Sequence, residues 1–186
     1  LGQIPTLDPP VGITASGQYT YVSLYGHGLQ ILDVLDPGNI TVAANEPTPT
    51  LAQGVFLLEN RVYVTDFSSG LHIVDVTTPT APTHQGALSL SGGSKDLMVV
   101  DSVAYVAANE RGVHLVDITD PTTPTLLTTY DTPGSAEGVF VLNNRAYVAD
   151  GSSGLLILDV SDPTNPAMVV GYGTSDNAGG VAGRIA

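Results

Sequence analysis

The stretch Arg61-Val62-Tyr63-Val64-Thr65-Asp66-Phe67-Ser68-Ser69-Gly70-Leu71-His72-Ile73-Val74-Asp75 holds two short apolar runs joined by a polar turn, and the chain carries four versions of it. Its tyrosine returns at Tyr21, Tyr63, Tyr105 and Tyr147, and its glycine at Gly28, Gly70, Gly112 and Gly154. The closing aspartate returns at Asp33, Asp75, Asp117 and Asp159. Pro37, Pro79, Pro121 and Pro163 keep the same step of 42 residues, so no insertion or deletion separates the copies. A period of about 40–50 residues marks a repeat architecture, in which each unit buries its apolar surface against the next.

Working outward, the second copy begins with the apolar run Gly54–Leu58, the turn pair Glu59-Asn60 and the run Arg61–Asp66. Leu71–Val76, a Pro-containing connection and a more polar run at Thr83–Leu88 complete it. Runs of four to seven residues are strand length and too short for helices. The first turn has equivalents at Ser16-Gly17, Asp101-Ser102 and Asn143-Asn144. Gly and Asn tolerate the positive φ of a two-residue hairpin; Glu59 and Ser102 fit less well and leave room for a longer loop.

The first three runs are continuously apolar, as in Leu155-Leu156-Ile157-Leu158, which means both sheet faces are covered. The fourth is polar, as an outer edge should be. Such a unit must be sandwiched between copies of itself. The expected fold is therefore an all-β propeller of four-stranded, 42-residue blades, with the first strand of each nearest the axis. The competing parallel β-helix has shorter coils and no tight antiparallel hairpins.

Blades are expected at about 12–50, 54–92, 96–134 and 138–176, within one domain. Partial blades are expected at 1–8, where the last strand of a preceding blade would lie, and at 180–186, where Gly180-Val181-Ala182 repeats Gly138-Val139-Phe140. Those remnants favour a portion of a larger ring. The start at Leu1, with neither an initiator Met nor a signal peptide, favours a mature or excised segment.

Leu29-Gln30-Ile31-Leu32-Asp33, Leu71-His72-Ile73-Val74-Asp75, Val113-His114-Leu115-Val116-Asp117 and Leu155-Leu156-Ile157-Leu158-Asp159 resemble the LVIVD repeat. The likeness runs on through Asp159-Val160-Ser161-Asp162-Pro163 and back through Ala146-Tyr147-Val148-Ala149-Asp150. It implies a β-propeller from a bacterial or archaeal exported or cell-surface protein. It implies little about activity, because that family is defined by its repeat. With no Trp and no Gly-His…Trp-Asp pattern, the chain departs from WD40 propellers.

Composition narrows the partners. Five Lys plus Arg oppose 18 Asp plus Glu, for a formal charge of −13. Such a surface repels nucleic-acid phosphates and anionic membranes, and it favours solubility. The absence of cysteine rules out disulfides and thiol chemistry. No apolar run approaches the roughly 20 residues of a membrane span.

The repeated tyrosines read as packing residues. The repeated aspartates read as acceptors for free backbone N–H groups at the turns that follow them. Function should lie where the copies differ. The interblade connections end at Gln53, Lys95, Glu137 and Gly179, and the loops between second and third strands hold Tyr25, His27, Asp66, Asn109, Glu110, Arg111 and Asp150. Alternating strand direction puts both loop sets on one propeller face, around the mouth of the axial channel. Loops on a rigid scaffold commonly carry recognition.

The histidines form no metal motif, and Asp66 with Asp150 falls short of the 6–8 oxygens that calcium takes. No cofactor or metal is therefore expected. Gly92-Gly93-Ser94-Lys95 lacks the spacing of a phosphate loop, and Gly134-Ser135-Ala136-Glu137-Gly138 is no nucleophile elbow. Asn39-Ile40-Thr41 is a formal glycosylation sequon.

The reading that follows is a non-catalytic extracellular or surface module binding protein or glycan through one face. One alternative is a structural subunit joined through open strand edges. Another is a hydrolase or lyase using Asp66, Glu110, Glu137 or His27 at the channel mouth, for which clustered carboxylates with shifted titration would speak.

Overall fold

The fold comes from a computed structural model that describes residues 8–182. Four antiparallel sheets follow one another in chain order. The first holds β1 (Pro10–Ser16), β2 (Tyr19–Leu24), β3 (Gly28–Asp33) and β4 (Thr41–Glu46). The second holds β5 (Ala52–Leu58), β6 (Arg61–Asp66), β7 (Gly70–Asp75) and β8 (Thr83–Leu88). The third holds β9 (Asp96–Val100), β10 (Val103–Ala107), β11 (Val113–Asp117) and β12 (Thr125–Tyr130). The fourth holds β13 (Gly138–Leu142), β14 (Arg145–Ala149), β15 (Leu155–Asp159) and β16 (Ala167–Tyr172). Neighbours in sequence are neighbours in each sheet, so every blade is a simple meander.

The innermost strands β1, β5, β9 and β13 pack in succession around the axis, as expected of a β-propeller. Of the partial blades, the one at 1–8 lies outside the described residues except for Asp8, and the one at 180–186 is described only to Ala182.

The first turn is a two-residue loop in all four blades, including Glu59-Asn60 and Asp101-Ser102, where a longer loop had room to form. In the first blade it is Gly17-Gln18 rather than Ser16-Gly17, because Ser16 pairs with Tyr19. The positive φ needed at the first loop position therefore falls on Gly17, Glu59, Asp101 and Asn143. Between the third and fourth strands every blade has an irregular register, at Ile31/Leu32, Ile73/Val74, Leu115/Val116 and Ile157/Leu158. A bulge repeated at one position adds the same local twist to each blade.

The repeated aspartates act as expected. Asp33, Asp75, Asp117 and Asp159 accept hydrogen bonds from the backbone N–H two residues on, at Leu35, Thr77, Thr119 and Ser161, over 2.7–3.0 Å. These bonds supply partners for amides that have left the sheet.

Each core lies between blades. Tyr21, Leu29 and Ile31 meet Val62, Val64 and Val74; Tyr63, Leu71 and Ile73 meet Leu97, Ala104 and Val106; Tyr105, Val113 and Leu115 meet Val139, Ala146 and Val148. Among the described residues these are three cores for four blades, and the outer face of the fourth blade has none. Tyr147, Leu155 and Ile157, at the positions buried in the other blades, are half-buried, and β16 is exposed throughout.

Candidate functional site

Val11, Gln53, Lys95, Glu137 and Gly179 stand 42 residues apart, at one repeat position, and each has a different side chain. All five line a single cavity of about 410 Å³ at the mouth of the propeller axis. The rim is built by the strands behind it. In the first blade, buried Ser23 on β2 accepts the N–H of Gly12 at 2.8 Å and donates to the carbonyl of Gln53 in the next blade. In the second, Thr65 accepts the N–H of Gly54 at 2.8 Å and donates to the carbonyl of Lys95 at 3.3 Å. In the later blades Ala107 and Ala149 occupy that position, and their carbonyls instead accept the N–H groups of Lys95 and Glu137, each at 2.8 Å. The hydroxyls of Ser23 and Thr65, set at one repeat position within apolar runs, were the sequence signal for this clasp.

Below the rim the channel turns apolar. A second cavity of about 530 Å³ is lined by Val55, Phe56, Leu97, Met98, Val139 and Phe140, among others. Asp96 lines both cavities. At its repeat position the other copies have Gly12, Gly54, Gly138 and Gly180, so one carboxylate interrupts a ring of glycines. Burial pushes the Asp96 carboxyl up from the ordinary range, against the opposing pull of hydrogen bonds from the backbone of Val139 and Leu97. The bond from Val139 N–H to Asp96 Oδ2 is 3.2 Å. Sequence reading missed Asp96; the break in the glycine series is the signal that could have found it.

Lys95 turns away from its neighbour. Its Nζ lies 3.5 Å from Glu137 Oε2 and 5.4 Å from the centre of the Phe67 ring. Lys95 thus answers the charge of Glu137 on the rim.

The remaining sequence candidates separate into two groups. Tyr25, His27, Glu110 and Arg111 are exposed at the corners between second and third strands, on the same end of the blades as the rim. His27 Nδ1 lies 2.6 Å from Asp8 Oδ2. Asn109, Asp66 and Asp150 are engaged with the backbone. Asn109 adopts φ 51° and exchanges two backbone hydrogen bonds with Ala136, just before Glu137. Gly151 and Ala178 repeat that exchange one blade later.

Asp66 and Asp150 are fully buried. Asp66 accepts hydrogen bonds from the backbone of Thr50, Ser68 and Ser69 and from the Thr50 hydroxyl. Burial alone would raise its carboxyl; the bonds from Thr50 and Ser69 outweigh that and hold it far below the ordinary range. Asp150 accepts from the Thr132 hydroxyl at 2.5 Å and the Gly134 N–H at 2.8 Å. Both carboxylates therefore tie the strap between two blades to the rim corner. Their lone pairs face the protein, which does not suit a calcium site or acid–base chemistry at the mouth.

Asn39 sits exposed in the turn between β3 and β4, at the opposite end of the blade from the rim. Among the described residues no group of three or more His, Asp or Glu side chains is disposed to hold a metal ion. No described helix is long and apolar enough to cross a membrane.

Comparison with solved structures places this architecture among propellers. The chain is similar to a functionally unknown protein from Desulfotomaculum acetoxidans DSM 771, with TM-score 0.79 and 11% identity over 95% of this chain and 60% of that one. It is similar to the Cps50 (Swd1) beta-propeller domain of Myceliophteria thermophila, with TM-score 0.71 and 12% identity over 93% of this chain and 63% of that one. The computationally designed Ika4 protein matches with TM-score 0.70 and 10% identity over 84% of this chain and 98% of its own. The chain thus spans about three-fifths of the two natural structures, and at these identities the likeness concerns the fold. No curated protein sequence matches it. The LVIVD repeat model matches at residues 11–46, 50–88, 91–132 and 133–174, each match falling on one four-stranded sheet. With its four blades covered in this way, the chain belongs to the LVIVD-repeat family of β-propellers.

Proposed function

We propose that this chain is a non-catalytic scaffold and interaction module that receives a protein partner at the mouth of the propeller axis, in a protein exported to the cell surface or beyond. The observation that carries the reading is the convergence of Val11, Gln53, Lys95, Glu137 and Gly179 on one cavity. The packing position of Tyr21, Tyr63, Tyr105 and Tyr147 keeps its residue type from blade to blade, whereas the rim position does not. This one varies in every blade and faces open space. The apolar channel beneath suits a protein segment better than a glycan, which wants flat aromatic platforms beside polar groups; among the described residues no aromatic lines the mouth itself. The non-catalytic reading is supported by the engagement of the acids: Asp66 and Asp150 are saturated by backbone and hydroxyl donors, and Glu137 is paired with Lys95.

The test is amide NMR of the folded chain against mixtures of short peptides. Hits should move the signals of Gln53, Lys95 and Glu137 together and should vanish in the triple variant Q53A/K95A/E137A without a change in Tm. Shifts confined to the outer strands, or none, would overturn the reading.

Assembly through the open ends is the second reading, favoured by the exposure of Ile13 (71%) and Tyr172 (70%) on the two terminal blades. A second copy docking head-to-tail needs the inner place beside β13. Gly180 already lies against Gly138 there, as Asp96 lies against Gly54. Self-association therefore ranks below axial binding. Sedimentation at rising concentration decides it: a monomer throughout removes this reading.

A further inference from the structure

Resting on the axial reading, we infer that the mouth selects an amphipathic cation: an ammonium group carried on an apolar body. The recess below the rim combines three features. Asp96 is the one charged side chain that lines both the mouth and the apolar channel. The cation next to it in sequence is spent elsewhere, since Lys95 Nζ points to Glu137 and to the face of Phe67. Beneath Asp96 lie Phe56, Met98 and Phe140; the two aromatic rings favour a nearby cation, and all three side chains suit an apolar body.

An uncompensated carboxylate in such a recess costs solvation energy, as the upward push on Asp96 reflects. Packing does not require it, because the repeat fills the same position with glycine in the other blades. A ligand ammonium would supply the missing charge, and the low polarity of the channel would strengthen that pairing relative to water. The acidic surface, at −13 overall, draws cations toward the mouth and repels anions of the same shape. The mouth and channel, at about 410 and 530 Å³, are of the size that accepts small organic ligands.

The test uses phenethylammonium, with phenethyl alcohol as the neutral isostere and 3-phenylpropionate as the anionic one. Each is titrated into the folded chain and read by NMR at the methyl groups of Val55, Leu97, Met98 and Val139. Phenethylammonium should bind saturably and at least tenfold more tightly than either control. Its affinity should fall at least tenfold in D96N and in D96G, the second of which restores the repeat's own residue. Equal binding of the alcohol, or unchanged binding in both variants, would overturn the ligand class while leaving the axial site standing. Should neither these probes nor the peptide mixtures perturb the rim, the axial reading itself falls.

Discussion

The hydroxyl of Thr132 donates to Asp150 Oδ1 over 2.5 Å, closing a bond between the strap that leaves the third blade and the rim corner of the fourth. Two blades earlier the Thr50 hydroxyl, two positions past the repeat equivalent of Thr132, makes the analogous bond to Asp66. The pair turns two variable-looking acids into braces that hold the rim in shape.

Removing either brace leaves buried donors unpaired. D66N and D150N should each lower stability by about 2 kcal/mol, within the range for losing a charged hydrogen-bond acceptor. Urea unfolding of the two variants checks this, and an effect within 0.5 kcal/mol, about the scale of ordinary surface substitutions, would remove the structural role. The pH dependence has a definite sign. The folded Asp66 carboxyl is depressed, so its contribution is present above the ordinary carboxylate range and is lost as pH falls below it. Asp75, Asp117, Asp120, Asp159 and Asp162 are depressed too, by hydrogen bonds from the turn residues two positions on. The urea midpoint should therefore drop on acidification through the carboxylate range, and less steeply in D66N.

Asp96 has the opposite sign. Its folded carboxyl is raised, so the protonated form is favoured in the folded state. That contribution is complete below the ordinary carboxylate range and is lost as pH rises through the folded value. D96N should be at least as stable as the parent chain at pH 7 and lose its advantage in acid. A clear drop in urea midpoint at pH 7 would show that Asp96 serves the fold instead.

The repeat gives an internal control for packing. Tyr105 is 5% exposed against the fourth blade, while its equivalent Tyr147 is half-buried on the open face. Tyr105→Ala should cost about 3–5 kcal/mol, as for a buried aromatic, and Tyr147→Ala less than half of that. Equal costs on denaturant melting would mean that the fourth blade's open face is covered in solution.

Glycine at the start of the third strand is a steric requirement. Gly112 has φ 73°, and a Cβ there would run into the carbonyl of Tyr130 and the backbone of Thr132. Gly112→Ala should lower stability by about 2–3 kcal/mol, combining left-handed backbone strain with overpacking. Gly173→Ala, which meets open space, should change it little. Circular dichroism melts of the two variants separate the cases.

Much of this was legible in one dimension because a blade is a local object. Its strands are adjacent in sequence, its hairpins span two residues, and a step of 42 residues superposes every landmark. The rim series Gln53, Lys95, Glu137 and Gly179 could be named for the same reason. Less legible was the fate of side chains near the corners. Asp66 and Asp150 look like free loop acids until the strap from the preceding strand folds over them and supplies Thr50 and Thr132. The shifted turn at Gly17-Gln18 has a similar origin, since register with β2 decides which residues leave the ladder.

By itself the sequence determined the blade: strand lengths, hairpins, the glycines at the corners and the aspartates that cap the far turns, all set by short-range sterics and hydrogen bonding. Only the tertiary structure decided what lies between blades. The three buried cores, the half-exposed outer face of the fourth blade and the lone carboxylate of Asp96 above an apolar channel depend on residues 42 apart being brought side by side, and that proximity comes from packing one sheet on the next.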